Sequence, residues 1–181
     1  MQLRTLLGVF LAYVLYPLWL FGGAVDYLCH RKTDIAHTSG ERESLLHLAQ
    51  FSTIAAIFVG AVLLEITSAV IVLMMLAVVA HTALSFIDVS YTLSRRHIST
   101  LEQHVHGLLN VIPFVAVALL AILNWDQLQT HSGESLVRLK DEPLAPVHVG
   151  LLLGSFSVLA GIPVLEEWLR THLARAAMSR R

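Results

Sequence analysis

The chain is short of charge and almost without cysteine, and both shortages exclude something. Only 14% of its 181 residues are charged, where a soluble chain of this size carries about a quarter. The formal net charge of -1 offers no basic surface, so nothing favours a nucleic acid as partner. The single cysteine, Cys29, excludes an intrachain disulfide and a cysteine-based zinc cluster. Hydrophobic residues make up 56% of the chain, and mean hydropathy is +0.70. The few charges cluster between long apolar runs, which is the pattern of a membrane chain rather than of a large soluble core.

A spanning helix needs about 20 mostly apolar residues. Five stretches meet this: residues 6–25, 45–64, 66–87, 107–124 and 147–165. The fold class expected is therefore all-α, an integral bundle of five transmembrane helices forming one domain, with a tail over 166–181. The first run is long for the apolar core of a signal peptide, about 7–15 residues, and leads directly into Asp26 and His30, so it is read as a retained span. Pro17, Pro113 and Pro163 lie inside these runs and should each distort a helix locally.

Basic residues set the expected orientation. Arg31, Lys32, Arg42, Arg95, Arg96, Arg170, Arg175, Arg180 and Arg181 fall on one side of a five-span chain; Arg4, Arg138 and Lys140 fall on the other. Acidic residues such as Asp126, Glu134, Asp141 and Glu142 weigh little. The rule predicts the N-terminus outside, the C-terminus inside, and the short loops in the cytoplasm, as in a bacterial inner membrane. The arginine-rich tail, with Glu166, Glu167 and Trp168, reads as a cytoplasmic helix that sets topology, either continuing the fifth span or lying along the headgroups.

Ten histidines stand against this apolar background. At the end predicted to be cytoplasmic, Asp26 precedes His30 by four residues, Glu43 precedes His47 by four, and Glu102 precedes His106 by four, with Asn110 a turn further. His81, Ser85 and Asp88 stand at offsets of four and seven. Such offsets share one helical face. Four helices thus present a carboxylate and an imidazole at one depth, and two antiparallel hairpins would bring those ends together. Acid–histidine pairs at this spacing also serve as caps or as ion pairs with Arg31, Lys32 and Arg42, and Glu43 and Glu102 lie in first turns where acids favour the helix dipole. His81 is the most telling, because an unpartnered imidazole inside an apolar run is expensive.

Imidazole and carboxylate together suit iron, zinc or manganese, and four-helix carboxylate proteins hold two metals with acid and histidine side chains turned inward. The expected ligands are Asp26, His30, Glu43, His47, His81, Asp88, Glu102 and His106, with His37, His97 and His104 as further ligands or supports. In the segment Thr38-Ser39-Gly40-Glu41, Ser39 is a candidate helix cap. Tyr27 and Tyr91 read as interfacial aromatics.

The segment Glu102-Gln103-His104-Val105-His106, with Asp26-x3-His30, resembles the membrane-bound histidine-box di-iron proteins of the fatty-acid hydroxylase and desaturase type. Those proteins hold two irons at the cytosolic ends of membrane helices. No His-x-x-His-His occurs here, and the carboxylates are more numerous. The resemblance implies two iron ions and oxidation of a lipid or other apolar substrate. The loops are too short for a flavin or nicotinamide domain, so electrons would come from a separate donor. Two other readings stay open. One is a zinc hydrolase, with one zinc on three histidines, Asp88 or Glu102 as general base, and Ser85 nearby. The other is a metal-handling protein, or a subunit of an oligomer or larger membrane complex. The largely apolar outer halves of the spans argue against a conduction path.

Overall fold

The computed structural model describes residues 2–130 and 137–180; Glu134 and Arg181, counted above for topology, lie outside them. The described chain is all-helical, with α1 Leu3–Lys32, α2 Glu41–Leu63, α3 Ser68–Thr92, α4 Thr100–Leu123, the short α5 Trp125–Thr130, and α6 Pro146–Met178. Every one except α5 is long and apolar enough to cross a bilayer. Large apolar side chains point outward from all five, for example Val72, Leu73, Leu76, Val79 and Phe86 on α3. In water so much apolar surface would be a liability; against lipid it is the expected exterior. The chain is a membrane protein with five spans.

The helices run past the apolar stretches mainly at one end. There α1, α3 and α6 continue beyond residues 25, 87 and 165, while α2 and α4 start before 45 and 107. The polar residues named above therefore sit on helix rather than loop. The tail is no separate element: α6 runs unbroken from the span to Met178.

Each spanning helix packs against two others, in the closed order α1, α4, α3, α2, α6 and back to α1. Consecutive α1 and α2 are thus not a packed hairpin, because α6 stands between them. The ring also explains why the apolar core lies in the half away from the polar ends: Ile54, Ile57, Val70, Met74, Val78, Val117 and Phe156 fill it. Small residues let backbones close up. A side chain at Gly22 of α1 would come 3.2 Å from Leu109 of α4, and one at Gly60 of α2 would come 3.3 Å from Met74 of α3.

The prolines act unequally. Pro17 and Pro163 follow wide π-helical turns at Leu11–Leu15 and Ser157–Gly161, each of which contains the residue four before the proline, where the ring would otherwise strike a carbonyl. Pro113 sits in regular α4.

Helix ends find partners as buried backbone requires. Thr67 caps α3 through the amide of Val70, and Ser99 and Glu102 form a reciprocal capping box on α4. Gly40, at φ 76°, rather than Ser39 occupies the cap position of α2, and the side chain of Ser39 makes no cap. Lys140 donates to the carbonyls of Ala61 and Val62 at 2.6 and 3.2 Å, while its backbone and that of Arg138 bond the turn after α2. Lys140 and the backbone of Arg138 thereby close the end of α2.

With five spans, Ser94 and Ser179 should lie on one side of the membrane and Asp141 on the other. In a Cys29→Ser background, Ser94→Cys and Ser179→Cys should label with an impermeant maleimide from the same side, and Asp141→Cys only from the opposite side.

Candidate metal centre

All five spanning helices contribute to one polar centre. His30 of α1 and His47 of α2 stack with ring centroids 4.4 Å apart and planes nearly parallel. Between them, Glu167 of α6 accepts from the Nδ1–H of both, at 2.9 Å from His30 and 2.6 Å from His47. One carboxylate therefore fixes both rings and turns both Nε2 atoms away from itself, the arrangement that orients metal-bound histidines elsewhere. The Nε2 of His47 meets Asp88 of α3 at 3.1 Å. The Nε2 of His30 lies 3.6 Å from Asp26 and 3.5 Å from Glu102. His106 of α4 approaches Asp26 at 3.0 Å.

Glu43 and Glu102 have a different partner. Arg96, from the loop between α3 and α4, reaches inward and donates to both, at 2.6 Å to Glu43 and 2.5 Å to Glu102. The guanidinium and both carboxylates are almost completely buried. Burial opposes the charge on Arg96, but the hydrogen bonds to Glu102 and Glu43 outweigh it and hold its pKa above the ordinary guanidinium value. Its neighbour Arg95 turns out and lies over Tyr91, which Arg42 covers from 4.7 Å.

A cavity of about 100 Å³ opens among these groups, lined by Asp26, His30, His47, Asp88, His106 and Glu167, with Ser85 and Asn110. Oδ1 of Asp88 and Nδ1 of His106 are buried without a hydrogen-bond partner, and Oδ1 of Asp26 and Nε2 of His30 have only ion-pair contacts, at 3.0–3.6 Å, that fall short of hydrogen-bond geometry. Buried polar atoms are rarely left so. Two overlapping triads, Asp26–His30–His106 and His30–Glu43–His47, each bring three ligand atoms within 4.8 Å of one another.

Of the eight expected ligands, seven come together. His81 stands apart. It lines the cavity, but its Nδ1 donates to the Gln50 carbonyl at 3.3 Å, and its Nε2 is buried without a hydrogen-bond partner. The three supporting histidines are not brought in: His37 pairs with Asp34, His104 donates to Thr100 in its own helix, and exposed His97 offers Arg96 only its carbonyl. Ser85 accepts from Asn110 at 2.8 Å. Tyr27 donates to Glu166, and Tyr91 to the Ser39 carbonyl.

Glu167 and Arg96 are the members that the sequence reading places elsewhere. Glu167 is in a dipeptide whose first member, Glu166, pairs outward with Arg31 and Arg170. The usable signal was position, an acid just beyond an apolar run, as in the other pairs.

Comparison with family models, with curated proteins and with solved structures finds no match to this chain.

Arg96→Met would leave two buried carboxylates unpaired, and breaking such a group costs about 3–5 kcal/mol. Thermal unfolding in detergent should show a large loss of stability. Arg96→Lys should recover only part of it, since an ammonium cannot serve both carboxylates as a planar fork.

Proposed function

We propose that the protein is a membrane metalloprotein with a dinuclear centre, working as an oxidoreductase on an apolar substrate. One observation carries the metal: Asp26, Glu43, Asp88, Glu102 and Glu167 gather around His30, His47 and His106, and the one permanent cation among them, Arg96, reaches only Glu43 and Glu102. With the three imidazoles neutral, as metal ligands must be, four negative charges are left over in a region where unpaired charge is expensive. Two divalent ions supply that balance. Asp26, His30 and His106 would hold one position and His47 and Asp88 the neighbouring one, with Glu43 and Glu102 shared between Arg96 and the metals and Glu167 orienting the rings. The unpartnered donor atoms and the mixed oxygen and nitrogen donor set fit iron or zinc.

Iron is favoured by the carboxylate-rich set and by the resemblance to histidine-box proteins. Two bound irons would supply redox chemistry. This chain's own residues would hold the ions, balance their charge and keep water scarce, with electrons delivered by a separate donor. The excess of basic residues at the polar end favours a cytoplasmic centre in a bacterial inner membrane. A single zinc would instead favour hydrolysis, with Asp88 beside the metal as base.

Detergent-purified protein should carry near two iron atoms per chain by elemental analysis, and His47→Ala and His106→Ala should both lose them. Glu167→Gln should weaken retention by about 10–100-fold, as loss of an orienting carboxylate does, whereas His81→Leu should keep the metal. One zinc per chain would select the hydrolase reading. No metal after expression with supplemented iron and zinc would reduce the centre to a structural network of protonated histidines.

A further inference from the structure

The ring encloses a second cavity, of about 260 Å³, just below the ~300–1,000 Å³ of most small-molecule sites. Its walls come from α1, α2, α4 and α6 and are apolar almost throughout; Leu15, Ile57, Phe58, Ile112 and Phe156 are typical. Tyr16 brings the one hydroxyl, and that group is already bonded to Ser155 and the Leu152 carbonyl. The cavity follows α1 from Leu11 to Trp19, α2 from Ile54 to Val62 and α4 from Ile112 to Leu120. Eight residues of helix rise about 12 Å, close to the ~15 Å of half a hydrocarbon core.

Its two ends differ. Trp19 and Ile54 line this cavity and the polar one alike, so they form the partition between them. There the Nε1 of Trp19 is buried with no hydrogen-bond partner. Phe156 stacks on Trp19, Phe51 and Phe58 and makes that end rigid and aromatic. At the other end Ala12 and Leu144 are exposed, on the side away from the polar centre. An apolar void of this size does not hold water and accepts apolar guests.

We propose that this cavity takes a single hydrocarbon chain of a membrane lipid, entering tail first from the side of the membrane opposite the polar centre, with its terminal carbons against Trp19 and Ile54. The inference rests on the metalloprotein reading for its purpose, since it names the substrate class of that centre and the end of the chain presented to it. The polar head of the lipid stays at the mouth, because the interior has no free partner for it until Trp19. Trp19 is then a positioning residue. Ala61 and Ala116, on facing helices of the lining, leave the room that the chain occupies.

The test uses the full chain in detergent, with Trp125→Phe and Trp168→Phe leaving Trp19 as the one fluorophore. The probes are stearates carrying a nitroxide near the methyl end or near the carboxylate. Saturable quenching, competed by unlabelled stearate, should be several-fold stronger with the methyl-end label. Ala61→Phe and Ala116→Phe, on separate helices, should each abolish it while bound metal is retained. Equal quenching by the two labels, stronger quenching by the carboxylate-end label, or quenching that survives both substitutions would overturn the proposal. The readout needs no metal: positional quenching in a protein that binds no metal would sink the metal reading alone, and metal without positional quenching would sink this one alone.

Discussion

Five carboxylates gathered with three imidazoles and one arginine inside a membrane bundle are the constraint on which the rest of the structure depends. Each acid is anchored by something specific. Glu43 and Glu102 hold Arg96, Glu167 holds two imidazoles, Asp88 meets His47, and Asp26 meets His106. These contacts come from all five spans, so the polar centre is also what closes the ring at that end. The apolar core at the other end is held mainly by packing, which in lipid has little hydrophobic driving force behind it, with the Tyr16 hydroxyl joining α1 to Ser155 and Leu152 of α6. Removing the charge balance would therefore cost more than the local ion pairs: it would release the helix ends from one another.

The part of this that was legible in the sequence follows from what a sequence encodes directly. Hydropathy counts residues along one chain, and it located all five spans. The acid-x3-His pairs also concern one helix each, and Asp26–His30, Glu43–His47 and Glu102–His106 all reach the centre. Meaning that depends on a neighbour was hidden. Arg95 and Arg96 are equal as topology charges, yet one covers a tyrosine outside and the other bridges two acids inside. Glu166 and Glu167 divide in the same way. His104 is two residues from both Glu102 and His106, which puts it on the far side of their helix. His81 is buried as its apolar setting implied, but it bonds the Gln50 carbonyl of α2 rather than an acid of the centre. The packing of α6 against both α1 and α2 accounts for Glu167, which reaches His30 on one and His47 on the other.

The two cavities divide the bundle by chemistry. Charge, imidazole and unpartnered donors occupy the end where the helices outrun their apolar stretches. An aromatic wall around Phe156 and a long apolar channel occupy the other end. Trp19 belongs to both. The wide turns at Leu11–Leu15 and Ser157–Gly161 lie on two helices beside the partition and give their backbones the room that Pro17 and Pro163 require.

The central claim is that metal cations compensate the buried negative charge. Anomalous diffraction from crystals of the protein, collected on both sides of the iron and zinc absorption edges, tests it most directly. The account predicts two neighbouring iron peaks, one among Asp26, His30 and His106 and the other beside His47 and Asp88. A centre with no anomalous peak, its carboxylates bonded only to protonated histidines and Arg96, would contradict it.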